Sequence, residues 1–546
     1  MVHDARSAAA PAARNVHATL EASARAHPGK VAIAYYGREF SYADLLGEVE
    51  ALAGYLQDDC GIVPGDRILL YMQNSPQYVA AFYAILRADA VVIPVNPMNL
   101  TEELSHYVHD AAAKVAICAA ELVERVLPLA GESGLTHIIV AAYGEKADLS
   151  VGGRLPEVVR QVPESYPEGV TPWSRVIGAG RAPKPSSAGP DDLAVMPYTS
   201  GTTGLPKGCM HTHGSLLATI VWAGPLKNLA PRDVLLAVVP FFHVTGMLMV
   251  MGNAVNLGAT MVIMTRWDRD LALDLIAGYG VTAWVNIPTM ILDLLASPNL
   301  TAEKMATLHH ISGGGTGMPE AVAKKLHELT GVNYREGYGL TETAAATHFN
   351  PIDKPKRQCL GLPVFDTESL VVDPVTLLPL PPGEIGEIVS RGPQVFKGYW
   401  NNPEATANAF VEISGKTFFR TGDLARVDED GYFFMVDRLK RMINASGYKV
   451  WPAEVEAMMY GHPAVQEVCI IAAKDPKRGE TVKAVVVLKP GQKDKVSGED
   501  LLHWAKENMS TYKAPRLIEI VNALPRNATG KILWRVLQEQ EDSKAG

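Results

Sequence analysis

Along the first third of the chain, apolar runs of strand length alternate with stretches whose apolar positions recur every three or four residues. Leu45, Val49, Leu52 and Leu56 fall on one helical face, and Ser41 with Asp44 reads as the capping box that starts that helix. Arg67-Ile-Leu-Leu-Tyr-Met72 reads as a buried strand. Ser75 followed by Pro76 gives an N-cap and a proline at the first helical position, and the apolar helix through Leu86 leads into a strand over Val91–Val95. Further strands are expected near Lys114–Cys118 and His137–Val140. Such β–α–β alternation predicts parallel sheets covered by helices.

The pattern changes twice. Between Gln161 and Asp192 the chain is rich in Pro, Gly and Ser and is expected to be loop, leading into a strand at Leu193–Tyr198. After Gly361 come short β segments such as Ser369–Val372 and Gly386–Ser390, predicting a small β-barrel or distorted antiparallel piece. Beyond Asp437 the remaining residues are enough for a compact unit of their own. Its strands are expected at Val468–Ala472 and Val482–Leu488, with a helix over Leu501–Asn508 capped by Ser497 and Asp500. The fold class is therefore α/β: a large N-terminal domain of two βαβ-type subdomains plus a small β-barrel, then a small α+β C-terminal domain. The boundaries are drawn at 1–436, 437–440 and 441–546.

Val234 to Thr265 contains no Asp, Glu, Lys or Arg and is long enough to span a bilayer. Pro240, Gly246, Gly252 and Gly258 interrupt it, and His243, Asn253 and Asn256 would need partners in lipid, so it reads as buried strand, helix and strand. The 546 residues would make three or four units at ~150 residues each. A composition of 47% hydrophobic and 20% charged residues is that of a globular protein, not a disordered one. The net charge of −9, with no basic stripe, argues against nucleic acid as the main partner. The five cysteines, Cys60, Cys118, Cys209, Cys359 and Cys469, lie far apart without CxxC spacing. They suit small buried thiols in a reducing compartment, and with an N-terminus lacking a signal-peptide core they point to the cytoplasm.

The densest chemistry is Tyr198-Thr-Ser-Gly-Thr-Thr-Gly-Leu-Pro-Lys-Gly208, directly after a predicted strand. Glycines and hydroxyls packed this closely give a loop whose N–H and O–H donors converge on phosphate oxygens, and Lys207 adds a mobile positive charge. It is not a Walker A loop, because Pro206 precedes Lys207 and Gly208 follows it. His211 and His213 suggest a metal pair on one strand face, but no third ligand lies nearby in the sequence, and both are read as positional coincidence. Cys209 is read as packing.

The phosphate-type loop resembles the signature of the adenylate-forming superfamily of acyl-CoA synthetases, aryl-CoA ligases, luciferases and peptide-synthetase adenylation domains. Glu336-Gly-Tyr-Gly-Leu-Thr-Glu-Thr343, Thr421-Gly-Asp423, Asp437-Arg-Leu-Lys440, Ser446-Gly-Tyr-Lys449 and Leu524-Pro-Arg-Asn-Ala-Thr-Gly-Lys531 follow in family order and at family-like spacing, so the resemblance covers the chain from about residue 20 to its end. It implies a reaction in two halves: a carboxylate attacks the α-phosphorus of Mg2+-ATP, then a thiol, coenzyme A, displaces AMP from the acyl-adenylate.

By resemblance, Thr199, Ser200, Gly201, Thr202, Thr203, Gly204 and Lys207 wrap the phosphates, and Glu342 with Ser200 holds Mg2+. Glu336 and Gly337 belong to the ATP/AMP-binding set, Tyr338 stacks on the adenine, and Thr341 contacts the α-phosphate. Asp423 would bind the ribose hydroxyls, Arg438 ribose or phosphate, and Lys531 the substrate carboxylate and α-phosphate. Thr202 and His243 join Lys531 and Glu342 as catalytic candidates. A mobile C-terminal domain would turn about a hinge at Lys440, and Ser446, Gly447 and Lys449 would then serve coenzyme A.

The resemblance also implies that Pro240-Phe-Phe-His-Val-Thr-Gly246 lines an acyl pocket, where His243 orients the carboxylate or shapes the path of the thiol, the plainer alternative being a satisfied core histidine. Amino-acid adenylation domains carry an Asp in this segment, and none is present here. Ser312-Gly-Gly-Gly-Thr-Gly317, with Gly313, Gly314 and Gly315, would bring backbone close to the adenylate. Phe241, Met247, Met249, Met251, Trp284 and Ile287 are apolar lining candidates, although residues at such spacings are more often simply core. The expected activity is an AMP-forming acyl-CoA synthetase for an apolar acid, a medium- or long-chain fatty acid, with an aryl-CoA ligase of the cinnamate or benzoate type or another small-acid CoA ligase as the alternative. Its partners would be the acid, ATP and coenzyme A, with the chain a monomer or homodimer.

Overall fold

The computed structural model describes residues 13–131, 134–151, 155–199, 206–315, 317–445, 448–475, 479–493, 495–526 and 532–544. The chain divides into two compact units, Met1–Glu368 with Arg391–Val411, and Ser369–Ser390 with Glu412–Gly546.

The first unit holds two large sheets. One has seven strands in the order His211–Thr212, Leu193–Val195, Val91–Pro94, Arg67–Tyr71, Val115–Ala119, His137–Ala141 and Thr171–Pro172. All its pairings are parallel except that of His211–Thr212 with Leu193–Val195. The other has nine strands: Leu362–Pro363, His348–Phe349, Arg335–Tyr338, His310–Gly314, Ala283–Asn286, Val234–Ala237, Thr260–Ile263, Val31–Tyr35 and Arg38–Ser41. Its centre is parallel and its margins antiparallel.

Strand geometry explains how the nine-stranded sheet serves two cores. Successive side chains point to opposite faces. Leu235, Ala237, Met261, Ile263, Ala283 and Val285 enter one cluster, while Leu236, Val262 and Trp284 enter another. The helix Pro76–Arg87 is buried from Pro76 to Leu86, as expected of a helix that is apolar all round. The Ser41–Asp44 capping box and the Ser75 cap before Pro76 are both present, and Leu45, Val49, Leu52 and Leu56 are buried.

The charge-free segment is built inward, as its sequence indicated: strand Val234–Ala237, π-helix Thr245–Gly252, α-helix Asn253–Leu257 and strand Thr260–Ile263. Among the described residues no helix is long and apolar enough to cross a membrane. Two expectations need correction. The Pro- and Gly-rich stretch is not all loop, since it holds a short edge strand and the helix Trp173–Gly178. Trp173 is buried and its indole N–H donates to Glu48 Oε1 at 2.6 Å. A helix of six residues is too short to declare itself by periodicity. Likewise His211 and His213 do not share a strand face, because the strand ends at Thr212 and a helix begins at His213.

In the second unit, Gly386–Arg391 pairs antiparallel with Lys416–Val427, which pairs with Phe433–Arg438 in a half-barrel-like sheet. Beyond it a long antiparallel pair, Val465–Asp475 with Gly479–Leu488, carries Leu517–Ile520 alongside in parallel. Helices Pro452–Met459 and Gly498–Asn508 cover one face, the second started by the Ser497–Asp500 capping box, and Trp534–Lys544 covers the other. The α/β class, with a large N-terminal part and a smaller α+β C-terminal part, is thus as the sequence indicated. All five cysteines are free and buried.

Candidate active site

The phosphate-type loop springs from a hairpin. Tyr198–Thr199 pairs antiparallel with Lys207–Gly208, so Thr199 faces Lys207 across its neck. Helix Thr101–Asp110 fixes both strands of that neck. The Tyr198 hydroxyl donates to Asp110 Oδ2 at 2.6 Å, the Tyr107 ring lies 4.5 Å from the Tyr198 ring, and His106 Nε2 donates to the Pro206 carbonyl at 2.8 Å. Ser200, Gly201, Thr202, Thr203 and Gly204 lie outside the described residues, as do Ser446, Gly447 and Lys531.

Glu342 stands on the short 3-10 turn Thr341–Thr343, half-buried. Its backbone carbonyl accepts from Phe396 N–H at 2.9 Å, and its Oε1 accepts from the Tyr399 hydroxyl at 2.9 Å. Lys207 Nζ sits 5.4 Å from the centre of the Tyr399 ring. Burial and the neighbouring Glu342 charge push the phenol well up from its ordinary value, so it remains a hydrogen-bond donor. Below the turn, His211 Nε2 donates to the Thr341 carbonyl at 2.7 Å; burial lowers this imidazole to about 4, which leaves it neutral at pH 7. His213 is employed separately, its Nδ1 accepting from Val16 N–H at 3.2 Å. Cys209 is packing: it is buried, and burial holds its thiol well above the usual range.

The turn is backed by strained chain. Ala344 and Ala345 both have positive φ, at 45° and 79°, and the Ala344 carbonyl accepts from Thr219 Oγ1 at 2.8 Å. Gly339 is required by this folding-back, since a Cβ there would lie 1.4 Å from the Ala345 carbonyl oxygen.

The other motif residues meet at the carboxyl ends of the parallel strands, where open α/β sheets bind ligands. Gly313 is in register with Asn286 and Glu336, and Gly314 with Gly337. A Cβ on Gly313 would lie 2.1 Å from the Asn286 carbonyl oxygen and 2.2 Å from the Tyr334 hydroxyl. One reason for glycine there is therefore close strand packing, while Gly315 has open space and a φ of +85°. Glu336 is buried, and its carboxylate accepts from the Met318 and Cys359 N–H groups at 2.8 and 3.0 Å; burial raises its pKa. It clamps two loops. Tyr338 is buried at the strand end, its ring 5.7 Å from that of His348.

His243 is exposed, which removes the reading of it as a core histidine. It sits in the turn entering the π-helix, and Asn74 holds that turn: Phe241 N–H donates to Asn74 Oδ1 at 2.7 Å, and Asn74 Nδ2 donates to the Val239 carbonyl at 3.0 Å. Within the π-helix, the Met249 carbonyl accepts from Lys227 Nζ, which also donates to Asn253 Oδ1 at 3.2 Å. Lys227 is 1% exposed, and burial lowers its amine to about 7. Phe241, Met247, Met249 and Met251 are packed in the first core. Trp284 lies on the sheet's other face, stacked on Trp267 with centroids 5.7 Å apart.

In the second unit, Asp423 and Arg438 face one another across two strands. Arg438 Nε lies 3.0 Å from Asp423 Oδ1, with the carboxylate side chain 2% exposed and the guanidinium 40%. Next to Arg438, Asp437 is buried and accepts from the Ala453 N–H at 2.6 Å; burial raises its pKa. Lys440 lies in the turn Leu439–Arg441 and Lys449 in the strand Tyr448–Val450.

Tyr399, Asn74 and Lys227 escape a reading of the sequence. Each acts on a partner far along the chain, and the faint clue for Tyr399 is the Gly398-Tyr-Trp400 run among turn residues.

Comparison with known proteins defines the class. The AMP-binding enzyme profile matches residues 20–400, and the AMP-binding enzyme C-terminal domain profile matches residues 454–531. The chain is 34% identical over 539 residues to the long-chain-fatty-acid–CoA ligase of Bacillus subtilis (strain 168), covering 97% of this chain and 95% of that protein. It is 34% identical over 514 residues to a feruloyl-CoA synthase of an Amycolatopsis species, covering 93% and 96%. The crystal structure of ATP-bound MatB from Rhodopseudomonas palustris superposes with a TM-score of 0.86 at 29% identity, covering 97% and 99%. The fold and the relatives define an AMP-forming carboxylic acid–CoA ligase. The chain belongs to the AMP-binding enzyme family.

Proposed function

We propose that the acid activated by this ligase is a medium- or long-chain fatty acid. The observation that carries the reading is the apolar π-helix behind His243. Met247, Leu248, Met249, Val250 and Met251 are consecutive and buried, and no Asp, Glu, Lys or Arg occurs from Val234 to Thr265. Thioether side chains adapt to flexible alkyl chains, and such a segment has no carboxylate to pair with a substrate ammonium group. The Bacillus relative's name agrees with this reading. The feruloyl-CoA synthase, at the same identity, favours the second reading, an aryl acid.

In the proposed reaction the acid's carboxylate attacks the α-phosphorus of ATP, releasing pyrophosphate. The thiol of coenzyme A then displaces AMP from the mixed anhydride. Phosphoryl transfer of this kind asks mainly for positioning and for charge neutralisation. Lys207 and the hairpin loop neutralise the phosphates, and Thr341 and Tyr338 border the nucleotide. Asp423, already paired with Arg438, presents acceptor oxygens to the ribose. Lys531 faces the acid carboxylate in the first half-reaction, and Ser446, Gly447 and Lys449 serve the thiol in the second, with the hinge at Lys440. His243, accessible in its turn, orients the acid.

Mg2+ fits the Glu342 position. This hard cation prefers oxygen ligands and takes one or two carboxylates beside phosphate oxygens, and Glu342 is a half-buried carboxylate already oriented by a phenol. When bound, the ion would neutralise phosphate charge.

The test is AMP release by the pure protein with Mg2+-ATP, coenzyme A and a graded panel from propionate to palmitate, with cinnamate, ferulate and benzoate beside them. The expected result is a coenzyme A-dependent peak at one alkyl length. Turnover confined to the aryl acids would overturn the fatty-acid assignment in favour of the second reading.

A further inference from the structure

We propose that Tyr399 is the positioning residue of the adenylation site: one side chain that orients the Glu342 carboxylate through its hydroxyl and seats the Lys207 ammonium on its ring face. The inference rests on the reading of Glu342 and Lys207 as phosphate- and metal-handling groups, and adds to it how they are held before ATP arrives.

Three observations converge. The Tyr399 hydroxyl donates to Glu342 Oε1 at 2.9 Å. Lys207 Nζ lies 5.4 Å from the centre of the same ring, within the range of cation–π attraction. The tyrosine is itself immobilised by backbone. Residues 397–400 run antiparallel beside 208–210 through an isolated bridge of Tyr399 with Cys209: Lys397 N–H donates to the Met210 carbonyl at 2.9 Å, Met210 N–H to the Gly398 carbonyl at 3.0 Å, and Trp400 N–H to the Gly208 carbonyl at 2.8 Å. The Trp400 indole donates to the Asp110 carbonyl at 2.9 Å, and the Tyr399 N–H donates to Thr406 Oγ1 at 2.9 Å.

The physical consequence follows from side-chain freedom. Glu and Lys are among the side chains that lose most rotamer entropy on being fixed, whereas Tyr has few rotors and here has a fixed backbone. A rigid phenol that touches both pre-orders two mobile charges of opposite sign. The ordering cost is then met during folding instead of at each turnover, which is how preorganised electrostatic sites gain rate.

Tyr399→Phe removes only the hydroxyl and keeps the ring beneath Lys207. In ATP–pyrophosphate exchange this variant is expected to lose about tenfold in kcat, the order for one hydrogen bond to a charged group, with the KM for the acid unchanged. Half-saturating Mg2+ for exchange should rise severalfold. Titration calorimetry of Mn2+ into the enzyme bound to a non-hydrolysable ATP analogue, which needs no turnover, should show the same weakening. Tyr399→Leu, which also removes the ring, should add a rise in the KM for ATP. In the cycle with Glu342→Gln, the double variant should be no slower than Glu342→Gln alone, since the hydroxyl acts only through that carboxylate. A Tyr399→Phe enzyme with unchanged kcat and Mn2+ affinity, alongside a crippled Glu342→Gln, would overturn the positioning role. A fully active Glu342→Gln would instead overturn the reading of the site on which it stands. A purely structural tyrosine would lower the melting temperature and leave kcat and Mn2+ affinity of the folded fraction untouched.

Discussion

The proposed nucleotide side and the proposed acyl side of the first unit are held by different physics. On the nucleotide side three candidate positions have directional partners: Glu342 on the Tyr399 hydroxyl, Thr341 on His211, Glu336 on two backbone N–H groups. The acyl side is a π-helix of consecutive apolar residues, set by packing and by one buried lysine on a backbone carbonyl. Hydrogen bonds demand particular residue types at particular places, while apolar packing asks for volume. The first side should therefore tolerate almost no substitution without loss of rate. The second should tolerate several and report them as changed preference.

The sharpest break between the two is expected at Lys531. If this lysine supplies the positive charge of the adenylation step, Lys531→Ala should lower acyl-adenylate formation by ~10²–10³, the usual cost of removing one charge stabiliser from a transition state. Thioester formation from supplied acyl-adenylate should survive, because that half uses other groups. Quench-flow measurement of each half-reaction separates the two, and an unimpaired first half would remove Lys531 from the role.

A methyl-sized change tests the same contrast without touching charge. Gly313→Ala forces a Cβ to within 2.1 Å of the Asn286 carbonyl, a backbone atom that cannot step aside, so the strands must part. The expected destabilisation is of the order of 1–3 kcal/mol by thermal or denaturant melting, with ATP binding weakened in proportion. Met249→Leu conserves volume in the π-helix, and should cost less than about 1.5 kcal/mol. It should leave the KM for ATP unchanged and redistribute preference among neighbouring acid lengths by about tenfold at most. Equal effects of the two substitutions on ATP binding would erase the distinction.

What could be read from the sequence divides along the same line. The Tyr198 to Gly208 segment stood out in the sequence by its density of Gly, Ser and Thr beside a Lys, whereas Glu342, Asp423 and Arg438 were singled out only by resemblance, and nothing in the sequence announced that Asp423 and Arg438 pair. The strands and helices of the first third were legible from periodicity, down to the Ser41 and Ser75 caps. Tyr399 was not, since its partner lies 57 residues away and nothing local marks a tyrosine as a carboxylate's neighbour. Nor was the π-helix, whose wider turn leaves no periodicity in an all-apolar run. Met247 and Trp284 looked alike as lining candidates. The strand's alternation turns Trp284 into one core, while Met247, on the π-helix, packs in the other.

The mildest test uses one buried titrating group on each side. His211, under the Thr341 carbonyl, is lowered to about 4 by burial from an ordinary value of 6.5. Between those two values the unfolded chain binds a proton that the folded chain refuses, so folding stability falls as pH drops from 6.5 toward 4. Lys227, under the Met249 carbonyl, is lowered to about 7 from 10.5, again by burial first and by the Arg335 charge second. Above about 7 the folded chain gives up this proton while the unfolded chain keeps it, so this group makes stability rise with pH toward 10.5 and leaves no slope below 7. Each group contributes at most about 1.4 kcal/mol per pH unit inside its own window. Melting curves across pH should therefore show that His211→Gln flattens only the acid limb and Lys227→Met only the alkaline one. Because Met also restores an apolar contact where the amine was, Lys227→Met should be relatively most favourable below pH 7, where the folded wild type carries the buried charge. Coincident effects on one limb would mean that the polar and apolar sides share a single electrostatic environment, contrary to the separation drawn from their packing.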